Sequence, residues 1–281
     1  MKNIQTRVML KEMLENVRKN CPLIHNITNY VTVNDCANVL LACGASPIMA
    51  DDVDEAEEIS TICGGLNINI GTLNQRTIPA MYKAGKKANE LGHPAVLDPV
   101  GAGASRLRTN TAMELIENVK FTVIRGNISE IKTLALGGGT TRGVDADMAD
   151  TVTRENLPQA VEFAKAFAKR TGAVIAITGA IDIVADSERA CCIFNGHPMM
   201  SSITGTGCQL SAVTAAYVTA NPDHVFEATA AAVCLMGVCG EKAYARLSDV
   251  DGNATYRNYI IDAIYRLDGE ELEKNAKYEM Y

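Results

Sequence analysis

Short apolar runs alternate with stretches of helical period along most of this chain. Residues 66–70, LNINI, predict a strand ending at Gly71, and residues 77–91 predict a helix stopped by Gly92 and Pro94. Residues 95–97 predict an apolar strand ending at Asp98, 109–118 a helix, and 121–124 another strand. A helix over 129–136 is expected to stop at the glycines 137–139. Over 156–171, Val161, Ala164, Phe167 and Ala168 recur at helical spacing. Residues 173–177, AVIAI, predict a buried strand, followed by two more over 181–185 and 190–194, the last ending at the turn pair Asn195-Gly196. Beyond that point 207–219, 225–244 and 254–267 predict helices.

Short strands that are apolar on both faces and separated by helices call for a mainly parallel sheet covered on both sides. The late pair of consecutive strands predicts an antiparallel edge. No repeat, low-complexity linker or Pro/Ser-rich break interrupts the pattern, so the expectation is one three-layer α/β/α domain over residues 1–281.

Composition narrows the function classes. With 26 basic and 33 acidic side chains the net charge is −7, which disfavours nonspecific binding to nucleic acid or to an anionic membrane. No stretch has the length and uniformity of a membrane span, and the charged start, residues 1–11, lacks the apolar segment of a signal peptide. Nine cysteines cannot all pair within one chain, and none has metal-ligand spacing, so a reducing cytoplasm is the expected compartment. Most of them read as small core residues, with Cys191 and Cys192 on opposite faces of one strand.

In open α/β sheets ligands bind beyond the carboxyl ends of the strands. The segment Ile203-Thr204-Gly205-Thr206-Gly207-Cys208 runs straight into an uncharged helix. Its glycines and helix start suit a phosphate or a developing phosphoryl charge, although an ordinary glycine-rich turn has the same pattern. It is not a Walker A loop, because no Lys-Ser/Thr follows the glycines. Cys208 in the first helical turn is either a thiol activated by the helix dipole or one more core cysteine. Asp98 after its strand suits magnesium or a phosphate-bound water, or else caps a helix. Arg125 can hold phosphate bidentately. Glu130 can reach a hydrated metal or lie on a solvated helix face, and Thr178-Gly179 ends a further strand.

The block from Pro22 to Thr32 is polar without being surface-like, and precedes an apolar helix over 36–42. There Asn29 is a candidate helix cap, His25 a hydrogen-bonded structural histidine, and Met49 either a contact for a small heterocycle or core packing.

These stretches together resemble the hydroxyethylthiazole kinases, of the ribokinase-like fold. The resemblance rests on PLIHNITNYVTVNDCANVLLACGASPIMADD (22–52), VLDPVGAGASRLRT (96–109), VIRGNISEI (123–131), ITGAIDIVAD (177–186) and ITGTGCQLSA (203–212). It spans about residues 10 to 265 and leaves out the tail, 269–281. It implies transfer of the ATP γ-phosphoryl to the hydroxyl of 4-methyl-5-(2-hydroxyethyl)thiazole, giving the thiazole phosphate of thiamine synthesis. By the same resemblance Arg125 and Thr178 contact ATP, Met49, Gly205 and Asn29 contact the thiazole, Asp98 and Glu130 lie near Mg2+, and Cys208 is the catalytic residue. It also implies a homotrimer in which Asn29 and Met49 face a neighbour's Gly205 and Cys208. Most ribokinase-like enzymes carry an Asp where this chain has Cys208. A pyridoxal or pyrimidine kinase, an ATP-using lyase of the same fold, and a nonenzymatic nucleotide-binding regulator are the competing readings. The first two are expected to keep that Asp.

Overall fold

The computed structural model of the chain describes residues 8–137 and 151–281. The strands are β1 (Leu23–Ile27), β2 (Ser46–Met49), β3 (Gly65–Asn69), β4 (Ala95–Asp98), β5 (Val123–Asn127), β6 (Val174–Thr178), β7 (Asp182–Ala185), β8 (Ala190–Ile193) and β9 (Tyr278–Met280). The helices are α1 (Leu10–Asn20), α2 (Val33–Cys43), α3 (Ala56–Ile62), α4 (Thr77–Leu91), α5 (Arg106–Asn118), α6 (Ile128–Gly137), α7 (Leu157–Thr171), α8 (Thr206–Ala220), α9 (Val225–Ala245), α10 (Asn253–Arg266) and α11 (Gly269–Asn275).

The strands form one sheet in the order β2-β1-β3-β4-β5-β6-β7-β8-β9, parallel from β2 through β6 and antiparallel beyond. Alternation along each strand divides the core in two. Ile24, Val96, Val123 and Ala176 pack with α1, α2, α8, α9 and α10 on one face. Leu66, Ile68, Leu97, Ile124 and Ile175 pack with α4, α5, α6 and α7 on the other. The expected three-layer architecture is therefore present. Cys191 and Cys192 belong to opposite cores, as period-2 alternation requires.

Two expectations need correction. The antiparallel edge is not β8. The tail 269–281 returns to the sheet, where α11 packs into the α8-side core through Leu272 and β9 pairs with β8. In addition, β1 and β2 were not expected as strands. Their sequences, LIHNI and SPIM, lack a continuous apolar run, because His25 and Asn26 are polar yet buried. Both are hydrogen-bonded inside the protein, which removes the desolvation cost that polarity signals. His25 is the structural histidine expected: Nε2 meets the Ala50 carbonyl at 2.8 Å and Nδ1 the Ser60 hydroxyl at 2.9 Å, and burial pushes its pKa down. The glycine stop expected for the 129–136 helix lies partly outside the described residues, since 138 and 139 are among those not described.

Strand order reverses between β1 and β3, because the chain leaves β1 toward β2 on one side and returns as β3 on the other. A crevice at such a switch point is where open α/β sheets bind ligands. Met49, Asn26, Asn67, Asn69, Asp98, Arg125 and Thr178 all fall on the α8 side of the sheet by register and alternation. Helix α8 crosses this side over β1, β3 and β4.

Candidate active site

The first turn of α8 stands over the carboxyl ends of the central strands, and side chains from five segments converge there. Asn29, just after β1, donates from Nδ2 to Cys208 Sγ at 3.2 Å and to Asn69 Oδ1 at 3.0 Å. Asn69 donates to Asp98 Oδ2 at 2.8 Å. The same oxygen accepts from the Ser211 hydroxyl at 2.8 Å and faces Arg125 Nη1 at 3.5 Å. Arg125 Nη2 donates to Thr178 Oγ1 at 2.5 Å. A continuous polar chain thus runs from Cys208 through Asn29, Asn69, Asp98 and Arg125 to Thr178, across the switch point.

Asp98 is no helix cap. It ends β4 fully buried, and its Oδ1 has no hydrogen-bond partner among the described residues. Burial is the first cause that pushes its pKa up, with the nearby Glu130 adding to this, while Arg125, Ser211 and Asn69 oppose it. Glu130 does not lie on a solvated helix face. It is 9% exposed, and its carboxylate accepts from Gly101 N and Asn127 N, both at 2.8 Å. Asn127 Oδ1 accepts from Glu130 N in return, a reciprocal cap at the start of α6.

Arg125 lies within β5, not beyond it: the strand runs to Asn127, three residues past the expected end. Its guanidinium presses on the first turn of α8, where a Cβ on Gly207 would stand 2.6 Å from Nη1. Its Nε is buried without a partner among the described residues. A cation placed against the positive end of a helix, with an unpaired donor, is an arrangement that an anion stabilises. Gly205 is the N-cap of α8 at φ +89°, in the left-handed region that favours glycine, and any Cβ there would overlap Thr32.

The thiol of Cys208 departs from the expected activation by the helix dipole. Burial and then the charge of Asp98 push its pKa up, against the lowering influence of bonds with Thr32, Asn29 and Asn69. Asn29 also departs from its reading as a helix cap. Thr32 is the N-cap of α2, and Asn29 Oδ1 instead accepts from the Thr32 N–H and hydroxyl, both at 3.1 Å. Asn29 meets Cys208, and Thr32 meets Gly205, within one chain. Met49 ends the outer strand β2, partly buried against the α8-side core, and its register partner is Asn26.

Beside Arg125 a cleft of about 520 Å³ opens between β6, the start of α8 and the segment from Asn195 to Ser201. Thr178, Gly179, Asp182, Gly207 and Leu210 line it on the sheet and α8 side. Asp182, partly exposed at the cleft, has its carboxyl pushed up to about 7 by burial, against the Gly179 N–H and the charge of Arg125. Asn69, Thr32, Ser211 and Asp182 were not singled out from the sequence. Asn69 carries a legible signal, a second asparagine two residues after Asn67 inside an apolar strand. Ser211 carries one too, a turn beyond Gly207 on an uncharged helix.

The chain matches the hydroxyethylthiazole kinase family model over residues 14–270. It is 67% identical over 273 residues to a hydroxyethylthiazole kinase of Clostridium acetobutylicum, a match covering 97% of this chain and 100% of that one. Its fold matches that of a hydroxyethylthiazole kinase from Pyrococcus horikoshii OT3 with TM-score 0.86 at 35% identity, over 97% and 98% of the two chains. A pyridoxal kinase from Staphylococcus aureus matches with TM-score 0.60 at 17% identity over 92% and 97% of the chains, a likeness of fold alone. With a family model spanning nearly its whole length and a relative at two-thirds identity, the chain belongs to the hydroxyethylthiazole kinase family.

Proposed function

We propose that this chain transfers the γ-phosphoryl group of ATP to the hydroxyl of 4-methyl-5-(2-hydroxyethyl)thiazole, giving the thiazole phosphate used for thiamine. The observation that carries this reading is the polar chain joining a nucleotide-sized cleft to a buried thiol through Asp98. The cleft volume lies in the range of small-molecule sites. In this reading Arg125 and Thr178 hold ATP phosphates. The N–H groups at Thr206 and Gly207 meet the transferring group, and Met49 and Gly205 contact the thiazole.

Phosphoryl transfer needs positioning and charge stabilisation more than base catalysis. A thiol whose pKa is raised stays protonated near neutrality, so Cys208 positions the acceptor hydroxyl and forms no covalent phosphate. Asn29 fixes the sulfur by donating to it.

Mg2+ fits these residues in a limited way. Asp98 Oδ1 is an unpartnered buried acceptor, and Glu130 keeps only the lone pairs left over from its cap. Among the described residues no cluster of three or more His, Cys, Asp or Glu could enclose a metal. That suits an ion held mainly by water and nucleotide phosphates. Bound there, it would neutralise phosphate charge, with Asp98 and Glu130 as its protein contacts.

The proposed unit is one domain over residues 1–281, its tail included. A homotrimer is part of the proposal, supported by Tyr30 and Val31, which stand exposed beside Asn29 as an apolar face for a neighbour. A cytoplasmic setting is supported by nine free cysteines. No helix among the described residues is long and apolar enough to cross a membrane. The test is ATP consumption by the purified protein with the thiazole alcohol, pyridoxal or hydroxymethylpyrimidine. The thiazole alcohol should be turned over with the highest kcat/KM. Turnover of the pyrimidine alone would overturn the assignment.

A further inference from the structure

The far wall of the cleft, from Asn195 to Ser201, begins as backbone without regular structure where β8 ends, with Gly196 at φ +128°. Three contacts seat it on α9. Asn195 lies on Gly237, where a Cβ would stand 2.7 Å from the Asn195 Cβ. Met200 fills the space a side chain at Gly240 would take. His197 stacks on Tyr244 with ring centroids 3.5 Å apart. The polar groups at the start of the wall are satisfied from two other places. Glu241 Oε1, on α9, accepts from Asn195 Nδ2 at 3.2 Å and from Gly196 N at 3.0 Å. The tail supplies the rest: Lys277 N donates to Asn195 Oδ1 at 2.6 Å, and Asn195 Nδ2 donates to the Asn275 carbonyl at 3.0 Å. Phe194 N donates to the Lys277 carbonyl at 2.8 Å. Lys277 Nζ closes the circuit on Glu241 at 2.9 Å.

We propose that Glu241 and the tail segment 277–281 are positioning elements for ATP, which fix the wall of the nucleotide cleft by binding Asn195 and Gly196. The proposal rests on the reading of this cleft as the ATP site. None of the groups at Glu241 or in the tail is among the residues that line the cleft, so they act through the wall. Ordering a stretch of backbone costs on the order of 1 kcal/mol per residue. A wall ordered during folding spares the nucleotide that cost on binding. The tail lies almost wholly beyond the family match, which ends at residue 270. Its pairing on β8 makes it continuous with the sheet that carries Arg125 and Thr178.

The experiment compares the full chain with Glu241→Ala, Glu241→Gln and a chain ending at Ala276. It reads KM for ATP, KM for the thiazole alcohol, kcat and melting temperature. Losing a hydrogen bond to a charged acceptor corresponds to about a tenfold change in an equilibrium. Glu241→Ala and the shortened chain should therefore raise KM for ATP by about fivefold or more and leave KM for the thiazole alcohol unmoved. Glu241→Gln keeps an oxygen for Asn195 and Gly196 and should stay within about twofold of wild type. An unchanged KM for ATP in folded Glu241→Ala would overturn the proposal. So would a common rise of both KM values with a lowered melting temperature, which is the mark of a merely structural role. Should the shortened chain not fold, the Ala and Gln variants at Glu241 decide the matter between them. Failure of the wild-type protein to use ATP at all would be a separate result, and would overturn the nucleotide reading instead.

Discussion

Gly207→Ala isolates the contact between Arg125 and the first turn of α8. The added methyl would stand 2.6 Å from Nη1, 2.7 Å from Nη2 and 3.0 Å from Cζ of Arg125. Nonbonded contacts settle at about 3.5–4.0 Å, so the guanidinium must retreat by about 1 Å. That retreat breaks its 2.5 Å bond to Thr178 and stretches the 3.5 Å approach to Asp98 beyond an ion pair. A hydrogen bond to a charged group is worth about 1.5–3 kcal/mol, or roughly one to two powers of ten in an equilibrium. The fold should lose far less. Alanine is favoured over glycine within a helix by about 1 kcal/mol, which offsets much of an overpacking cost of about 1–3 kcal/mol, and the end of an arginine moves readily. The assay is steady-state kinetics in ATP at saturating thiazole alcohol, beside a thermal melt. We expect kcat/KM for ATP to fall about ten- to a hundredfold, with the melting temperature within about 5 °C of wild type. Wild-type ATP kinetics in a folded Gly207→Ala protein would refute the claim that Arg125 holds phosphate at this helix start.

Other outcomes follow from the same geometry. Cys208→Ser should lower kcat by about tenfold without abolishing turnover, because positioning and not proton removal is at stake; an undiminished kcat would remove Cys208 from the mechanism, and a trapped phosphocysteine would contradict the noncovalent route. Of the nine free cysteines only Cys21 is exposed, so native thiol labelling at neutral pH should give one fast-reacting group, lost in Cys21→Ser; a second fast thiol assigned to Cys208 would show that burial does not hold it protonated. Asp182 has its folded pKa raised from 3.8 to about 7, so the folded state favours its protonated form, and its contribution to stability is present below the lower value and lost as pH climbs through the upper one. Asp182→Asn should therefore gain stability over wild type between those two pH values and hold a constant advantage above; identical pH–stability curves would contradict a buried carboxyl.

Much of this architecture is written in local pattern. The helix 77–91 and the strand at 173–177 follow from period and from glycine stops, and two adjacent cysteines on opposite sheet faces follow from alternation alone. What escaped did so for physical reasons. In β1 the two central buried positions are held by His25 and Asn26, between the buried Ile24 and Ile27, so burial there is satisfied by hydrogen bonds and not announced by hydrophobicity. The tail strand 278–280 has no apolar run, because its stability comes from pairing with β8 and from Lys277 and Glu279 meeting Glu241 and Arg154, contacts remote in sequence. At the site, Asp98, Arg125, Thr178 and Cys208 were visible as chemistry at strand ends and a helix start. Their link through Asn29 and Asn69 was not, since it depends on the crossover that sets β1 beside β3. The sign of the Cys208 shift was likewise invisible, because a helix start predicts a lowered pKa while depth of burial, a tertiary property, prevails.

The most direct test of the whole account is a crystal structure of the protein with a nonhydrolysable ATP analogue, Mg2+ and the thiazole alcohol. The γ-phosphate should lie between the Arg125 guanidinium and the N–H groups at the start of α8, the thiazole hydroxyl beside Cys208 Sγ, and Met49 against the ring. A nucleotide bound away from Arg125 and Thr178, or a hydroxyl remote from Cys208, would contradict it.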